Sequence, residues 1–510
     1  MGCFCGTVSR AAVFVISLFS VACAQTGGGI ESSYGQGVKS LRVDAAHTTG
    51  TIRSLLGTNR GPISYALRMG EGTVCHVDSF RTMGIDFIRN HDFYGPTDWY
   101  VIFPRWDADP EDSEGYDFTS SDERIRAIVE NGFRCFFRLG TSWRGRNPRP
   151  IHDPPGTIRD EWGRVIHRAD RDDFRRWGRI CARIVQHYTQ GWKDGYHYPI
   201  QYWEIWNEPD LAEQFWTGTP EQYYMLYEEA ARAIREVDPT LKVGGPACTG
   251  RLSAEYVEGF LDYCQERNVP LDFFSWHSYG GRDEFNPYRF YQDAVRIRRA
   301  LDDHGFEKAE NCLTEWNAGI HHRLFNHTIQ GAAFYASTLV YLLDGGVTYA
   351  FQYCGDQHPG LGLHERPNGK RKVCCHAFTA WKSLCETPIR LQVQGSDERG
   401  YVAIAGKDNP QRCVRIIISD FQSGHEAFEL DVTNLPWGKE DVFEVKRWLL
   451  NTEHSMEQME TWRDRGRSLH LMCPFRAPAL CLLELRVIKD GSWEQSPRGL
   501  GVGSPQTGGK

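Results

Sequence analysis

The 510-residue chain lacks several things that would each point to a different class of protein. It has no surplus of positive charge: 58 Lys and Arg stand against 66 Asp and Glu, a formal net charge of −8. No basic stripe with interleaved aromatics occurs either, which excludes a nucleic-acid surface. No apolar run is long enough to remain as a membrane-spanning helix. No segment repeats, so a solenoid or propeller is excluded. No cysteine pair has zinc-ligand spacing with companion histidines. His321-His322 are adjacent on a loop, where two side chains rarely converge on one ion without further ligands. The expectation is therefore neither a metal nor a cofactor.

The longest apolar stretch follows Arg10 and runs from Ala11 to Ala22. With the small-x-small pattern Ala22-Cys23-Ala24, it reads as an export signal over 1–24, with the mature chain beginning at Gln25. A lipoprotein anchor at Cys23 is a weaker alternative, because Ser20 is a poor fit to the aliphatic residue such signals carry. Cysteine usage sits awkwardly with export. Of 16 Cys, removing Cys3, Cys5 and Cys23 leaves an odd 13. Cys248, Cys312 and Cys354 fall in or beside expected strands, where a thiol is a small buried hydrophobe. One or two disulfides are compatible with the sequence, which cannot pair them.

What is present is organised around Tyr202-Trp203-Glu204-Ile205-Trp206-Asn207-Glu208-Pro209-Asp210. It begins as an apolar and aromatic strand. It stops at Pro209, which lacks an N–H and pushes Glu208 into an extended conformation. Asn207 and Glu208 are thus presented at the C-terminal edge of a strand, where a parallel α/β barrel does its chemistry. A second stretch, Leu313-Thr314-Glu315-Trp316-Asn317, has the same character 107 residues later, from Glu208 to Glu315. A barrel of roughly 250 residues spends roughly 31 per strand–helix unit, so the gap fits about three units with modest insertions. Two carboxyls facing each other across the mouth are what cleavage of a glycosidic bond requires. A lone strand-end Glu can equally be half of a buried ion pair; ordinary packing gives no reason to end two strands this way.

These two stretches, with Phe273-Phe274-Ser275-Trp276-His277-Ser278-Tyr279-Gly280, resemble the motifs of glycoside hydrolase family 39. That family includes β-xylosidases and α-L-iduronidases and belongs to the clan of retaining (β/α)8-barrel glycosidases. The likeness runs from about Leu41 to about Arg486. It implies an α/β fold, a TIM barrel with a C-terminal β-sandwich, and a carbohydrate substrate.

The chain order agrees. The first barrel strand is expected at Leu55 to Asn59, the second at Gly84 to Asp92 and the third at Cys135 to Gly140. The fourth begins at Tyr202, and the fifth spans Leu241 to Pro246. The sixth is Leu271 to Trp276, the seventh Cys312 to Glu315 and the eighth Val347 to Tyr353. Helices are expected around Glu123 to Asn131, over Asp173 to Gly191 and over Pro220 to Val237, and this alternation favours a barrel. Beyond about Pro388 short alternating runs and turn residues read as all-β. The domain expectation is a signal (1–24), a flexible linker (25–40), a barrel (41–387), a sandwich (388–489) and a disordered tail (490–510). Leu41 to Asp44 is a strand that, as in the family, could belong to the sandwich.

The resemblance makes Glu208 the general acid/base and Glu315 the nucleophile. Glu208 must be kept protonated near neutral pH, which partial burial and a neighbouring carboxylate can do. Asn207 is expected on the sugar 2-hydroxyl. Arg89, which ends the second strand with His91, is placed to keep Glu315 ionised. Tyr279 is a candidate donor to Glu315, and His277 to Glu208 or the sugar. Trp143 and Trp316 are candidate sugar platforms or rim packing. β-Xylosidases of this group carry a Trp on the eighth strand that floors the reacting sugar. Here Phe351 or Tyr353 are the only aromatic substitutes, and Gln352 could occupy the Trp position. That departure puts xylose in doubt and leaves the chemistry intact. Arg366, Lys370, Arg371 and Lys372 could receive a uronate carboxylate, or simply form a solvated hairpin. The leading expectation is a secreted retaining exo-glycosidase of β-xylosidase type. An endo-acting polysaccharide hydrolase, an iduronidase-like enzyme and a catalytically silent carbohydrate-binding barrel are the alternatives.

Overall fold

The computed structural model describes residues 37–64, 73–143, 152–212, 214–280, 285–319, 324–422 and 424–488. The expected export signal, most of the linker, His321-His322 and the C-terminal tail lie outside the described residues.

Eight parallel strands close a barrel: Gly57–Asn59, Phe87–Arg89, Arg134–Leu139, Tyr202–Ile205, Lys242–Cys248, Phe273–Tyr279, Glu310–Asn317 and Tyr349–Gln352. The eighth pairs with the first through Phe351 and Gly57, which removes both edges. Helices alternate with the strands. Two start on reciprocal capping boxes: Asp170 with Asp173 before Arg171–Gln190, and Thr219 with Gln222 before Pro220–Val237. The latter helix also has Pro at its first turn, where the missing N–H is harmless.

Side chains alternate in and out along each strand. Phe87, Phe136, Tyr202, Phe273, Cys312 and Phe351 meet in one buried aromatic layer across the barrel. Two residues further along the same strands come Arg89, Arg138, Glu204, Ser275 and Thr314, all buried and all polar. The barrel thus changes from oil to charge within one step of the pleat, and the site sits on the polar side. In the seventh strand the register slips: Trp276 faces Leu313, but His277 faces Glu315. That bulge at Thr314 aims Glu315 at the sixth strand.

The strand expected near Leu41 is longer, Val38–Thr51, and it begins inside what was expected to be linker. It lies in a nine-stranded sheet formed with strands from the C-terminal region, pairing with Ile389–Gln394 and Ala427–Thr433. Ile389–Gln394 pairs with Tyr401–Asp408 only through Ile389 and Arg390. The sheet therefore bends there, and the residues it buries from both halves, such as Leu41, Phe428, Ile416 and Leu483, form one core. Helix Ile329–Asp344 is buried on nearly every side because it lies between barrel and sheet, which explains its almost unbroken apolar sequence. Its Ser337 and Tyr341 hydroxyls donate to the carbonyls of Gly400 and Asp397 at 2.8 and 2.7 Å.

The thirteen described cysteines are all free thiols, so neither of the allowed disulfides forms among the described residues. No helix among them is long and apolar enough to cross a membrane.

Candidate active site

The fourth strand ends in backbone that side chains rarely adopt. Trp206 and Glu208 have φ of 74° and 47°, in the left-handed region, so Glu208 is not extended as its place before Pro209 predicts. Both are held there from outside: Trp206 N–H donates to Leu139 O at 2.6 Å and Glu208 N–H to Ala247 O at 3.0 Å. Strain retained by neighbouring strands is a mark of a functional position. Its effect is to turn the Glu208 carboxyl inward toward the sixth and seventh strands.

Glu208 Oε1 lies 2.7 Å from His277 Nδ1. Glu315 accepts from Arg89 Nη1 at 2.9 Å through Oε1 and from the Tyr279 hydroxyl at 2.6 Å through Oε2. His277 Nδ1 is also 3.6 Å from Glu315 Oε2. One oxygen of each glutamate and one imidazole nitrogen of His277 lie within 4.8 Å of one another. The two carboxyls therefore share a single pocket.

Arg89 organises the floor. Besides Glu315, its guanidinium donates to Glu204 at 2.6 Å, to Asn59 Oδ1 at 2.9 Å and to Asn207 Oδ1 at 2.6 Å. That fixes Asn207 with its Nδ2 buried and without a partner. Donors left unmet in a buried site are expensive unless something arrives to accept from them.

The two glutamates are treated unequally. Burial pushes the Glu208 carboxyl up to about 8; Asp210 and Asp92 add to the rise, and Arg89 opposes it. Burial raises Glu315 as well, and Arg89 pulls it back; His277 adds to that pull only when it carries a proton. Burial also keeps His277 below the usual histidine range, so its Nδ1 can accept a proton from Glu208. A carboxyl that accepts from a guanidinium and a phenol is the one that ionises first. The partners of the pair thus favour the proton on Glu208 over Glu315.

Asp92 connects the remaining wall. It accepts from the Tyr353 hydroxyl at 2.6 Å and from the Trp143 backbone N–H at 2.7 Å, and it lies 3.1 Å from His91 Nε2. The same His91 nitrogen is 3.4 Å from Glu315 Oε1. Trp143 packs against Phe215, which in turn lies against His91.

Arg89, His91, Asn207, Glu208, His277, Tyr279 and Glu315 thus come together, with Trp143 and Tyr353 at the margin. Two expected contacts do not. Trp316 is fully buried among Phe290, Tyr335 and Phe378, outside the barrel, because it follows Glu315 on the strand and must point the other way. Phe351 points inward, but into the aromatic layer below the charges, against Phe87 and Phe136. Gln352 faces outward and donates to the Tyr335 hydroxyl at 3.1 Å. In the basic hairpin, Arg366 and Lys372 donate to backbone carbonyls of Gln357 and His358, while Lys370 and Arg371 are exposed.

Strand-end reasoning missed Glu204, Asp92 and Asn59. Glu204 had a signal, since it shares a face with residues two positions away on a strand. Asp92 and Asn59 had none. Two groups among the described residues have metal-ligand geometry: His167 with Asp170 and Asp173, and Glu208 with His277 and Glu315. In the second, a guanidinium already occupies one carboxylate and the other retains its proton, which is the wrong chemistry for a cation.

The sequence model of Glycosyl hydrolases family 39 matches residues 42–354. A β-xylosidase from Caldicellulosiruptor saccharolyticus is 28% identical over 360 residues, 66% of this chain and 69% of that one. A β-xylosidase from Geobacillus stearothermophilus is 31% identical over 199 residues, 39% and 37% of the two chains. Among solved structures, a glucosidase from Croceicoccus marinus superposes with a TM-score of 0.72 at 26% identity, over 88% of this chain and 99% of that one.

Proposed function

Because the chain belongs to glycosyl hydrolases family 39, and is therefore an O-glycosidase, we propose that it cleaves its substrate by double displacement with retention of anomeric configuration. The observation that carries this is the approach of Glu208 to Glu315 to within 4.8 Å. Retaining glycosidases hold the pair about 5–5.5 Å apart, while inverting ones need about 6.5–9.5 Å to admit a water. Glu315 attacks the anomeric carbon as the bond to the leaving oxygen breaks, and Glu208 gives that oxygen its proton. Glu208, now ionised, takes a proton from water as the water attacks the same carbon and releases Glu315. Asn207 Nδ2 supplies a donor for the neighbouring sugar hydroxyl.

A neutral sugar, with β-D-xylose first, fits the charges better than a uronic acid. Three buried guanidiniums around the pocket already face carboxylates: Arg60 with Asp356 at 2.7 Å, Arg138 with Asp98 at 3.0 Å, and Arg89 with two. A β-glucoside is the second reading, favoured by the Croceicoccus marinus likeness and by Tyr353 in place of a strand-eight Trp. Export is supported by Arg10 and the apolar run after it; N-terminal sequencing of secreted protein is expected to begin at Gln25. Recovery only inside cells with Met1 intact would remove that part of the proposal.

The test is proton NMR of the first-formed product from nitrophenyl β-D-xyloside, with glucoside, galactoside, arabinoside and uronide alongside. Retention and preference for the neutral β-glycosides are expected. An inverted first product sinks the mechanism, and a preference for the uronide sinks the charge argument.

A further inference from the structure

Three walls of the pocket converge on Asp92. Tyr353 comes from beyond the eighth strand, Trp143 from beyond the third, and His91 from beside it beyond the second. Asp92 itself has φ of 60°, where Asn and Asp are the most tolerant of the chiral residues. It is also buried, at 3% exposure, so its three contacts are made away from water.

We propose that Asp92 is a positioning residue of the hydrolytic pocket, whose carboxylate locks His91 in one tautomer and binds Tyr353 and Trp143 into a single wall around the sugar. The inference rests on the double-displacement reading above. A neutral imidazole has one N–H. His91 Nε2 faces Asp92 Oδ1 and Glu315 Oε1, both acceptors, whereas buried Nδ1 has no partner. Burial, reinforced by Arg89 and Arg138, keeps the ring neutral, so its proton resides on Nε2. Nε2–H is therefore shared between the two carboxylates. Asp92 anchors the ring that presents this proton to Oε1 of Glu315, while Tyr279 takes Oε2.

Asp92 acts on Glu208 through its charge. Glu208 is faced by Asp210, Asp92, Arg89, His277, Tyr279 and Glu315. Asp92 is faced by Arg60, Arg138, His91, Tyr94, Tyr353, Glu208 and Glu315; burial raises its own carboxyl, and Tyr353, Trp143 N–H and the two guanidiniums pull it back. Asp210 and Asp92 add to burial in keeping the proton on Glu208.

Asp92→Asn keeps the shape and tolerates the backbone, but removes the charge; its carbonyl oxygen stays toward Trp143 N–H and His91, and its amide N–H replaces the acceptor that Tyr353 had. On whichever glycoside the unaltered enzyme hydrolyses, kcat/KM is expected to fall ~10–100-fold, the loss of a hydrogen bond to a charged group. The alkaline limb of the pH profile should move down by ~0.5–1 unit. Nitrogen-15 NMR of ring-labelled enzyme, with His91→Gln for assignment, should show Nε2–H in the parent and a shift toward Nδ1–H in Asp92→Ala, which removes the oxygen that Nε2 faces. An unmoved limb with an unchanged tautomer overturns the proposal, whether or not activity drops, because a merely structural residue would behave so. If Asp92→Asn fails to fold, Tyr353→Phe decides: a KM raised at least ~5-fold, the worth of about one hydrogen bond, is expected, and an unchanged KM overturns it. Should the parent hydrolyse no glycoside, double displacement fails while the NMR reading still tests the tautomer.

Discussion

Glu208, largely enclosed in the pocket, and Glu228, buried between helices, are driven in opposite directions by the fold. Glu228, on helix Pro220–Val237, would also be raised by burial. It is pulled down instead to about 2 by Tyr263, Arg267, Arg171 and Arg232. The Tyr263 hydroxyl donates at 2.7 Å and Arg267 Nε at 3.1 Å, so one carboxylate ties three helices together outside the barrel. Glu208 has the His277 imidazole, which can take its proton, and two anions nearby. Burial is common to both; the number and sign of the partners decide whether a carboxyl becomes a rivet or an acid.

The largest effect should come from removing the nucleophile of the proposed catalytic pair. Glu315→Gln is expected to lower kcat by ~10⁴–10⁶-fold, as loss of a nucleophile does. It should leave the circular dichroism of the protein unchanged. A variant within about tenfold of the parent, too small a loss for a nucleophile, takes Glu315 out of the mechanism. With it goes the contrast between a protonated and an ionised glutamate.

Glu208→Gln should reduce kcat by ~10²–10⁴-fold, the usual contribution of a general acid, and least for the best leaving groups. The alkaline limb near pH 8, where Glu208 gives up its proton, should disappear. The same variant is expected to be more stable than the parent at pH 8. A carboxyl whose folded pKa lies above its unfolded value binds more protons folded than unfolded. The parent therefore loses stability as pH rises from about 4.5 toward 8, and the Glu208→Gln variant does not. Urea unfolding at pH 5 and pH 8 reads this directly; a Glu208→Gln variant less stable than the parent at pH 8 would contradict the assignment.

Glu228→Gln should do the reverse. It removes the anion paired with Arg232 and Arg267 and leaves Arg171 with Glu229; because these guanidiniums are half-exposed it is expected to cost ~1–2 kcal/mol at pH 7, with turnover per folded molecule unchanged. Because the Glu228 pKa is depressed in the fold, its contribution is present above about 4.5 and lost as pH falls toward 2. The stability gap between parent and variant should close over that range. A gap that is flat with pH would mean the carboxylate is not what holds these helices.

Much of this was legible in the chain. Asn-Glu-Pro and Thr-Glu-Trp-Asn mark strand ends because proline and polar residues interrupt apolar runs, and their spacing counts barrel units. What the pattern could not supply was depth and aim. Phe351 alternates inward as a floor residue should, but it sits one layer too low, because layer height depends on strand stagger around the ring. Trp316 is no platform, and alternation after Glu315 already points it outward. The bulge at Thr314, which aligns Glu315 with His277, leaves no trace in residue type. Asp92 was missed because its three partners lie at sequence separations of 1, 51 and 261.

The smallest expected effect isolates the charge beside Glu208 from its burial. Asp210 is half-buried and accepts from Thr249 N–H at 2.9 Å and from the Thr249 hydroxyl at 2.6 Å. In Asp210→Asn the amide keeps a carbonyl oxygen for one of these, so the loop should survive with at most ~1 kcal/mol lost. The anion next to Glu208 disappears, its proton is held less tightly, and the alkaline limb should shift down by ~0.5–1 unit. Below about pH 6 both enzymes keep Glu208 protonated and should turn over alike. Above the limb the variant should be slower by ~3–10-fold, the same shift expressed as a ratio of protonated fractions. If the limb stays where it is, desolvation alone raises Glu208, and the difference from Glu228 reduces to the donors that Glu228 has and Glu208 lacks.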